Sequence, residues 1–171
     1  MAMVEGKITE QQYVAAMALH QSRHSRIIFL ICACAGIVAV AIWLLGMWVS
    51  AAIVLLAASI GGAIGHWLWD RLYIPARAAK LYRQSADFAA PFKIAWDADT
   101  VELWSEKGSW RRSWSEYVKR RENDELVLLY INDQLFNLFP RDMFGSEANW
   151  KSFKEQARRV PTRTTLPPPA E

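Results

Sequence analysis

The sequence predicts a membrane-anchored protein in which an α-helical hairpin precedes a small α+β domain. Three observations predict this fold class. Residues 27–69 contain no Asp, Glu, Lys or Arg, and basic residues flank this apolar segment on both sides. After Pro91 the hydrophobic pattern changes from a helical period to alternation. A single helix of the apolar segment would run about 65 Å through a bilayer core of roughly 30 Å, so two spans with a tight turn fit.

The first 26 residues are predicted to form an amphipathic lead-in to the membrane. Thr9 and Gln12 have the spacing of a capping box, which indicates that a helix starts there. The first span is predicted over residues 27–45, and the turn over residues 46–50. The second span follows over residues 51–69, so that residues 27–69 form the transmembrane hairpin.

Aromatic and basic residues predict the orientation of the hairpin. Trp and Tyr side chains favour the two membrane interfaces, and those near the span ends are Trp43, Trp48, Trp67, Trp69 and Tyr73. Basic residues lie only outside the spans: Arg23, Arg26, Arg71, Arg77, Lys80 and Arg83. By the positive-inside rule, both termini are expected in the cytoplasm.

The second span carries small residues at intervals of four, namely Ala57, Gly61 and Gly65. Such a stripe lets helices approach closely in lipid. Two interpretations stay open at this point: packing of the hairpin against itself, or self-association of two or more copies into a homo-oligomer.

A juxtamembrane helix is expected over residues 70–90, with a kink at Pro75, and Pro91 marks a boundary. Residues 91–159 are expected to form a β-rich cytosolic domain with antiparallel strands and a C-terminal helix. About five short strands are predicted, at residues 92–96, 100–105, 109–114, 126–131 and 134–139. The charged run 119–125 is interpreted as a loop or hairpin end. The helix is predicted over residues 146–159, with Trp150, Phe153 and Ala157 buried, and the Pro-rich tail 160–171 is expected to be disordered.

The side-chain inventory argues against an enzyme. Residues 70–171 contain no His and no Cys, so the common nucleophile–base pairs and zinc sites have no ligands there. No glycine-rich phosphate loop is present. We therefore expect no catalytic residue, no metal site and no cofactor. Cys32 and Cys34, the only cysteines, point to opposite sides of the first span and are expected to pack as small apolar residues.

Two candidate sites remain. His66 is an ionisable residue in the second span, one turn before Asp70, and intramembrane ionisable groups are functional candidates. The second candidate is a basic patch for lipid or a partner, consisting of Arg111, Arg112, Lys119, Arg120 and Arg121. The alternative is that the neighbouring tryptophans belong to the core and the arginines to a solvated face. Nucleic acid is not an expected partner, because no recognition motif accompanies the net charge of +3.

Several short motifs occur in a characteristic order along the chain. They are residues 8–13 before the hairpin, residues 75–80 after it, the Trp-Ser-Glu-Tyr corner at 114–117, the Phe-Pro-Arg-Asp-Met-Phe segment at 139–144, and a helix with Trp150 and Phe153. In this layout the chain resembles the YcxB-like family of bacterial membrane proteins from about residue 8 to residue 159. The resemblance implies a multi-pass protein of the bacterial inner membrane with a cytosolic β-rich domain, and it brings no established activity. The soluble domain is also similar to a reduced pleckstrin-homology-like sheet.

The expected function is that of a non-enzymatic, membrane-anchored interaction or regulatory module. Its small cytosolic domain would dock on a protein partner or on the anionic inner leaflet. The alternative is a small accessory subunit of a transport or membrane-stress system that works through its transmembrane hairpin.

Overall fold

The computed structural model describes residues 2–46, 48–85 and 90–162. The chain divides into two compact units, one comprising residues 17–78 and the other residues 1–16 together with residues 79–171. The helices are α1 (Glu10–Leu44), α2 (Val49–Leu68), a π-helical segment (Trp69–Tyr73), α3 (Ile74–Gln84) and α4 (Glu147–Ala157). The strands are β1 (Ala2–Gly6), β2 (Phe92–Trp96), β3 (Thr100–Ser105), β4 (Gly108–Ser113), β5 (Lys119–Glu122), β6 (Leu126–Tyr130) and β7 (Phe136–Pro140).

Helix α1 starts at the predicted capping box. The Thr9 N–H donates to Gln12 Oε1 at 2.9 Å, and the Gln12 N–H donates to Thr9 Oγ1 at 3.2 Å. The helix then continues to Leu44 without a break. The helical part of the predicted lead-in and the first span are therefore one element, about 52 Å long at 1.5 Å per residue.

The hairpin closes between Leu44 and Val49. Gly46 turns the chain with φ 66°, and Trp48 also takes a left-handed conformation, with φ 46°. The segments Ser25–Leu44 and Val49–Gln84 are long and apolar enough to cross a membrane. Large apolar side chains along both helices are exposed in the isolated chain.

The second helix passes through a π-helical segment before α3. The Ile74 N–H donates to the Trp69 carbonyl, five residues back. Pro75, which follows, has no N–H, and its ring would crowd the carbonyl of residue 71 in a regular α-helix. The wider π turn accommodates it, so the helical path continues to Gln84. The predicted juxtamembrane helix is present to that point, and residues 86–89 lie outside the described residues.

The larger sheet contains a strand that the sequence analysis did not predict. Its order is β1-β2-β3-β4, with antiparallel neighbours throughout. Residues 2–6, assigned above to the amphipathic lead-in, form the edge strand β1, with Gly6 opposite Phe92 and Ala2 opposite Trp96. This strand precedes the hairpin in the chain, whereas its neighbour β2 follows it.

The smaller sheet has the order β5-β6-β7 and is also antiparallel. Strand β5 corrects part of the interpretation of the charged run 119–125 as a loop or hairpin end. Residues 119–122 pair with β6, and residues 123–125 form the end of the hairpin between these strands. The domain therefore has seven described strands rather than about five. Charged side chains are tolerated in β5 because it lies at the sheet edge and alternates between a covered and an open face.

Helix α4 closes the main core. Ser146 caps it by accepting a hydrogen bond from the Asn149 N–H, and the predicted stripe Trp150, Phe153 and Ala157 is buried. Phe153 is fully buried among aromatic rings, which belong to Trp96, Trp114, Phe139, Phe144 and Trp150. The predicted tail 160–171 is described only to residue 162, and its first residue, Val160, is buried.

Candidate functional site

The predicted basic patch is divided between two strands in different sheets. Arg111 and Arg112 lie on β4, whereas Lys119, Arg120 and Arg121 lie on β5. Arg111 is exposed and stands directly opposite Glu102 on β3. Its guanidinium lies 2.5 Å from the Glu102 carboxylate, which makes a cross-strand ion pair.

Arg112 lies over two aromatic rings at the corner that follows β4. Its guanidinium carbon is 5.9 Å from the ring centres of Trp110 and Tyr117, and its Nη1 donates to Glu116 at 3.2 Å. Glu116 in turn closes a capping box with Ser113. The Trp-Ser-Glu-Tyr motif of the sequence thus forms a short 3-10 turn that holds Arg112 in place.

Side chains alternate between the two faces of β5, so Lys119 and Arg121 lie on one face and Arg120 on the other. Lys119 lies 4.6 Å above the ring centre of Tyr130 and pairs with Asp133 at 2.6 Å. Arg121 lies 5.9 Å from the same ring. Arg120 faces the other way, is only 8% exposed, pairs with Glu122 at 2.7 Å and donates to the Val160 carbonyl.

Cations of the basic patch on both strands therefore have carboxylate partners within the domain, namely Arg111, Arg112, Lys119 and Arg120. Arg120 is a buried link between β5 and the segment that follows α4, so it is not part of a surface. Of the five, Arg111 is the exposed one, and Arg112, Lys119 and Arg121 are half-buried. Any anionic ligand at this surface has to compete with these internal pairs, which lowers the electrostatic gain.

Tyr117 and Tyr130, beneath these cations, are buried. Burial raises the pKa of each phenol to about 12, since the charged form would lose its hydration. The Asn137 amide donates to the Tyr117 hydroxyl at 3.0 Å. The two rings are thus neutral structural supports of the basic residues at physiological pH.

The intramembrane candidate His66 has a partner within its own helix. Its Nε2 lies 3.5 Å from Asp70 Oδ2, one turn further along, and its ring packs edge-on against Phe29 of α1 at 5.7 Å. Both side chains are largely shielded, with 14% and 26% of their surfaces exposed. Asp70 belongs to the π-helical segment, and π segments frequently occur at functional sites.

A cavity of about 390 Å³ adjoins this pair within the helical unit. Arg26 and Phe29 of α1 line one side of it, and Asp70 and Arg71 line the other. From the sequence alone, the two arginines predicted only the orientation of the hairpin. Their proximity could have been predicted from their positions, because residues just before the first span and just after the second lie at the same end of an antiparallel hairpin.

The small-residue stripe faces away from the first helix. A Cβ atom built on Gly61 or Gly65 would meet nothing within 4 Å, whereas one on Gly62 would lie 3.4 Å from Cys32 Sγ. Ala57 is exposed as well. The two helices therefore approach each other at Gly36 and Gly62, and not at Gly61 or Gly65 of the predicted stripe.

A family model described as YcxB-like protein matches residues 96–157. The resemblance drawn from the sequence motifs is confirmed over this segment, which runs from the end of β2 to the last residue of α4. Strand β1 and the helical hairpin lie outside the match. No curated protein and no solved structure matches the chain significantly.

Proposed function

Because residues 96–157 carry the match to the YcxB-like family, we propose that this chain is a non-enzymatic interaction or regulatory module anchored in a bacterial inner membrane. The apolar hairpin is the anchor, and the seven-stranded domain docks on a protein partner or on the anionic inner leaflet. The single observation that carries the proposal is the position of β1. It makes the hairpin an insertion within the domain, because the chain leaves the sheet after Gly6 and re-enters it at Phe92, the residue opposite Gly6.

The position of β1 constrains the topology of a membrane-inserted chain. Residues 2–6 and residues 92–96 are neighbours in one sheet, so they lie on the same side of any bilayer. The chain between them must then cross an even number of times, which agrees with two spans. With the basic residues beside the spans, this supports two cytoplasmic termini.

The strand arrangement supports a binding role more than a catalytic one. Antiparallel sheets of four and three strands followed by a helix support the proposed likeness to a pleckstrin-homology-like domain. Such a fold hosts many functions, so the fold alone does not name the ligand. The cations of the basic patch are mostly paired internally, which favours a protein over a purely electrostatic lipid contact.

The proposal is tested by a photo-crosslinking amino acid placed at Arg111 in the full chain, in native membranes. We expect a discrete crosslinked product whose mass identifies it as protein or lipid. The matched control is the same amino acid at Glu155, an exposed position of α4. Identical products at both positions, or none at Arg111, would contradict docking through β4.

The alternative, an accessory subunit working through its hairpin, is favoured by the outward-facing stripe Ala57, Gly61 and Gly65. We propose that this stripe mediates self-association or contact with a larger membrane protein. Gly61→Leu should weaken oligomers several-fold in a membrane crosslinking assay, because a leucine keeps the helix backbones apart. Gly62→Leu is the matched control, since its side chain would point toward Cys32 and disturb the hairpin instead. Equal oligomer levels in Gly61→Leu and the unmodified chain would remove this role for the stripe.

A further inference from the structure

The cavity beside Asp70 lies at the end of the hairpin where the apolar segments begin, and polar and apolar side chains both line it. On α1 its lining includes Ser22, Ser25, Arg26 and Phe29, and on the second helical path it includes Trp67, Asp70, Arg71 and Ile74. Both sets follow the spacing i, i+3, i+4, i+7, so each is one continuous helix face. The cavity is therefore built by two facing helix surfaces rather than by a loop.

The charges around this cavity have opposite signs. Arg26 and Arg71 contribute guanidinium groups, and Asp70 contributes a carboxylate. Asp70 Oδ1 is buried and has no hydrogen-bond partner among the residues that the structure describes, while Oδ2 faces His66. A buried carboxylate oxygen without a donor is costly, so a ligand that supplies a donor there gains free energy.

These features restrict the chemistry of a ligand. It needs an N–H donor with positive charge for Asp70, an anionic group for the arginines, and an apolar part that continues alongside Phe29 and Trp67. A phosphoethanolamine headgroup with its acyl chains has all three. A choline headgroup has a quaternary ammonium with no N–H to donate, and a glycerol headgroup carries no cation.

We propose that this cavity binds the headgroup of an ethanolamine phospholipid. The ammonium donates to Asp70 Oδ1, and the phosphate accepts from Arg26 and Arg71. Ser25 supplies a further neutral hydrogen-bonding group beside the phosphate, whereas the Ser22 hydroxyl already donates to the Leu19 carbonyl at 2.9 Å. A cavity of about 390 Å³ is in the size range of small-molecule sites. This inference rests on the proposed membrane insertion of the hairpin.

The test measures lipid retention by the full-length purified protein, using native mass spectrometry. The probes are dioleoyl phosphatidylethanolamine, its N-methylated series up to phosphatidylcholine, and phosphatidylglycerol with the same chains. We expect about tenfold tighter retention of the ethanolamine lipid than of the choline lipid, which corresponds to about 1.4 kcal/mol. Retention should decrease at the last methylation, which removes the final N–H.

Variants assign the preference to the cavity. Asp70→Asn should abolish the preference for ethanolamine over choline, and Arg71→Gln should weaken retention of both lipids. Arg77→Gln is the matched control, because Arg77 is an exposed arginine of α3 that does not line the cavity. If Asp70→Asn does not fold, the methylation series on the unmodified protein decides alone. Equal retention of the ethanolamine and choline lipids by the unmodified protein overturns the proposal.

The membrane proposal has a separate readout. Resistance of the protein to alkaline carbonate extraction from native membranes reports insertion of the hairpin, independently of any lipid preference. A protein that resists extraction but shows no headgroup preference refutes the lipid site only. A protein that is extracted refutes the anchor and the lipid site together.

Discussion

At the scale of single residues, Phe153 lies at the centre of the aromatic core of the domain. Its ring is fully buried and contacts rings of β2, β7 and α4, and of two 3-10 segments, Trp114–Glu116 and Arg141–Phe144. Its position in the helical stripe was predictable from sequence, because spacing alone identifies the buried face of a helix. The identity of its neighbours was not, since these come from distant parts of the chain.

Phe153→Ala should destabilise the domain by about 3–5 kcal/mol, through lost burial and an unfilled cavity. The measurement is urea unfolding of the detergent-solubilised protein, followed by tryptophan emission, because Trp96, Trp114 and Trp150 adjoin the ring. Lys151→Ala, on the exposed face of the same helix, is the control. A loss below about 1 kcal/mol would place Phe153 outside a tightly packed core.

Ionisation of Tyr117 makes the stability of the folded domain depend on pH in the alkaline range. Its folded-state pKa is raised to about 12, above the ordinary value of 10.0. As pH increases, Tyr117 therefore ionises in the unfolded chain before it ionises in the folded domain. Its contribution to the free energy of unfolding is fully present below pH 10 and is lost between pH 10 and about 12. At about 1.4 kcal/mol per pKa unit the loss is about 2–3 kcal/mol.

Tyr117→Phe separates this effect from that of the other tyrosines. At pH 8 the variant should be about 1 kcal/mol less stable, because the Asn137 amide loses its acceptor. Above pH 11 the order should reverse, since phenylalanine does not ionise. The free energy of unfolding of both proteins across this pH range is the measurement, and parallel curves would contradict the assignment.

At the scale of elements, strands β2 and β3 were predicted with their observed bounds, because their apolar residues alternate and an Asp-Ala-Asp turn separates them. Strand β5 was missed because its residues are all charged. The alternation of buried and exposed side chains along β5 depends on Arg120, which is buried and donates to the Val160 carbonyl, a contact that the sequence does not indicate. Strand β1 was missed because nothing in residues 2–6 indicates that their partner lies across the hairpin.

The candidate sites were likewise predictable where they depend on local sequence and not where they depend on contacts between distant residues. The sequence identified the ionisable residues near the spans, since charges beside an apolar segment are conspicuous. It could not identify the cavity that Arg26 shares with Asp70, because that depends on the register of two antiparallel helices. It also suggested a single basic patch from sequence proximity, whereas the turn at Trp114–Glu116 separates the two groups of cations into different sheets.

Strand β1 and the first turns of α1 should be required for a folded domain. Within the compact unit, the Tyr82 hydroxyl donates to the Ile8 carbonyl at 2.7 Å, and Arg83 pairs with Glu10 at 2.8 Å. A polypeptide in which residues 1–16 are joined by a short Gly-Ser linker to residues 79–162 should therefore fold as a soluble domain with cooperative unfolding.

The comparison for this prediction is residues 79–162 alone. Without β1 the apolar edge of β2 is unpaired, so the shorter polypeptide should aggregate or unfold non-cooperatively. Circular dichroism and size-exclusion chromatography distinguish the two outcomes. Equal stability of both polypeptides would show that β1 is dispensable.

At the scale of the whole molecule, the domain and the apolar segments are interleaved along the chain. If the hairpin crosses the membrane twice, a phosphatase that is active only outside the cytoplasm should be inactive when fused after Glu171. The same enzyme fused after Gly46, in the turn between the two helices, should be active. An active fusion at the C terminus would contradict a cytoplasmic C terminus, and equal activity at the two positions would contradict a single crossing between them.

The placement of β1 ahead of the hairpin also sets an order of events during biosynthesis. Residues 2–6 leave the ribosome well before residues 92–105. Strand β1 therefore remains unpaired with β2 while the apolar helices are synthesised. If the hairpin is inserted into a membrane during synthesis, its delivery to the insertion machinery therefore precedes completion of the sheet. A nascent chain arrested before β2 emerges should consequently be membrane-inserted yet protease-sensitive at its N terminus, and it should acquire protection only after α4 has been synthesised.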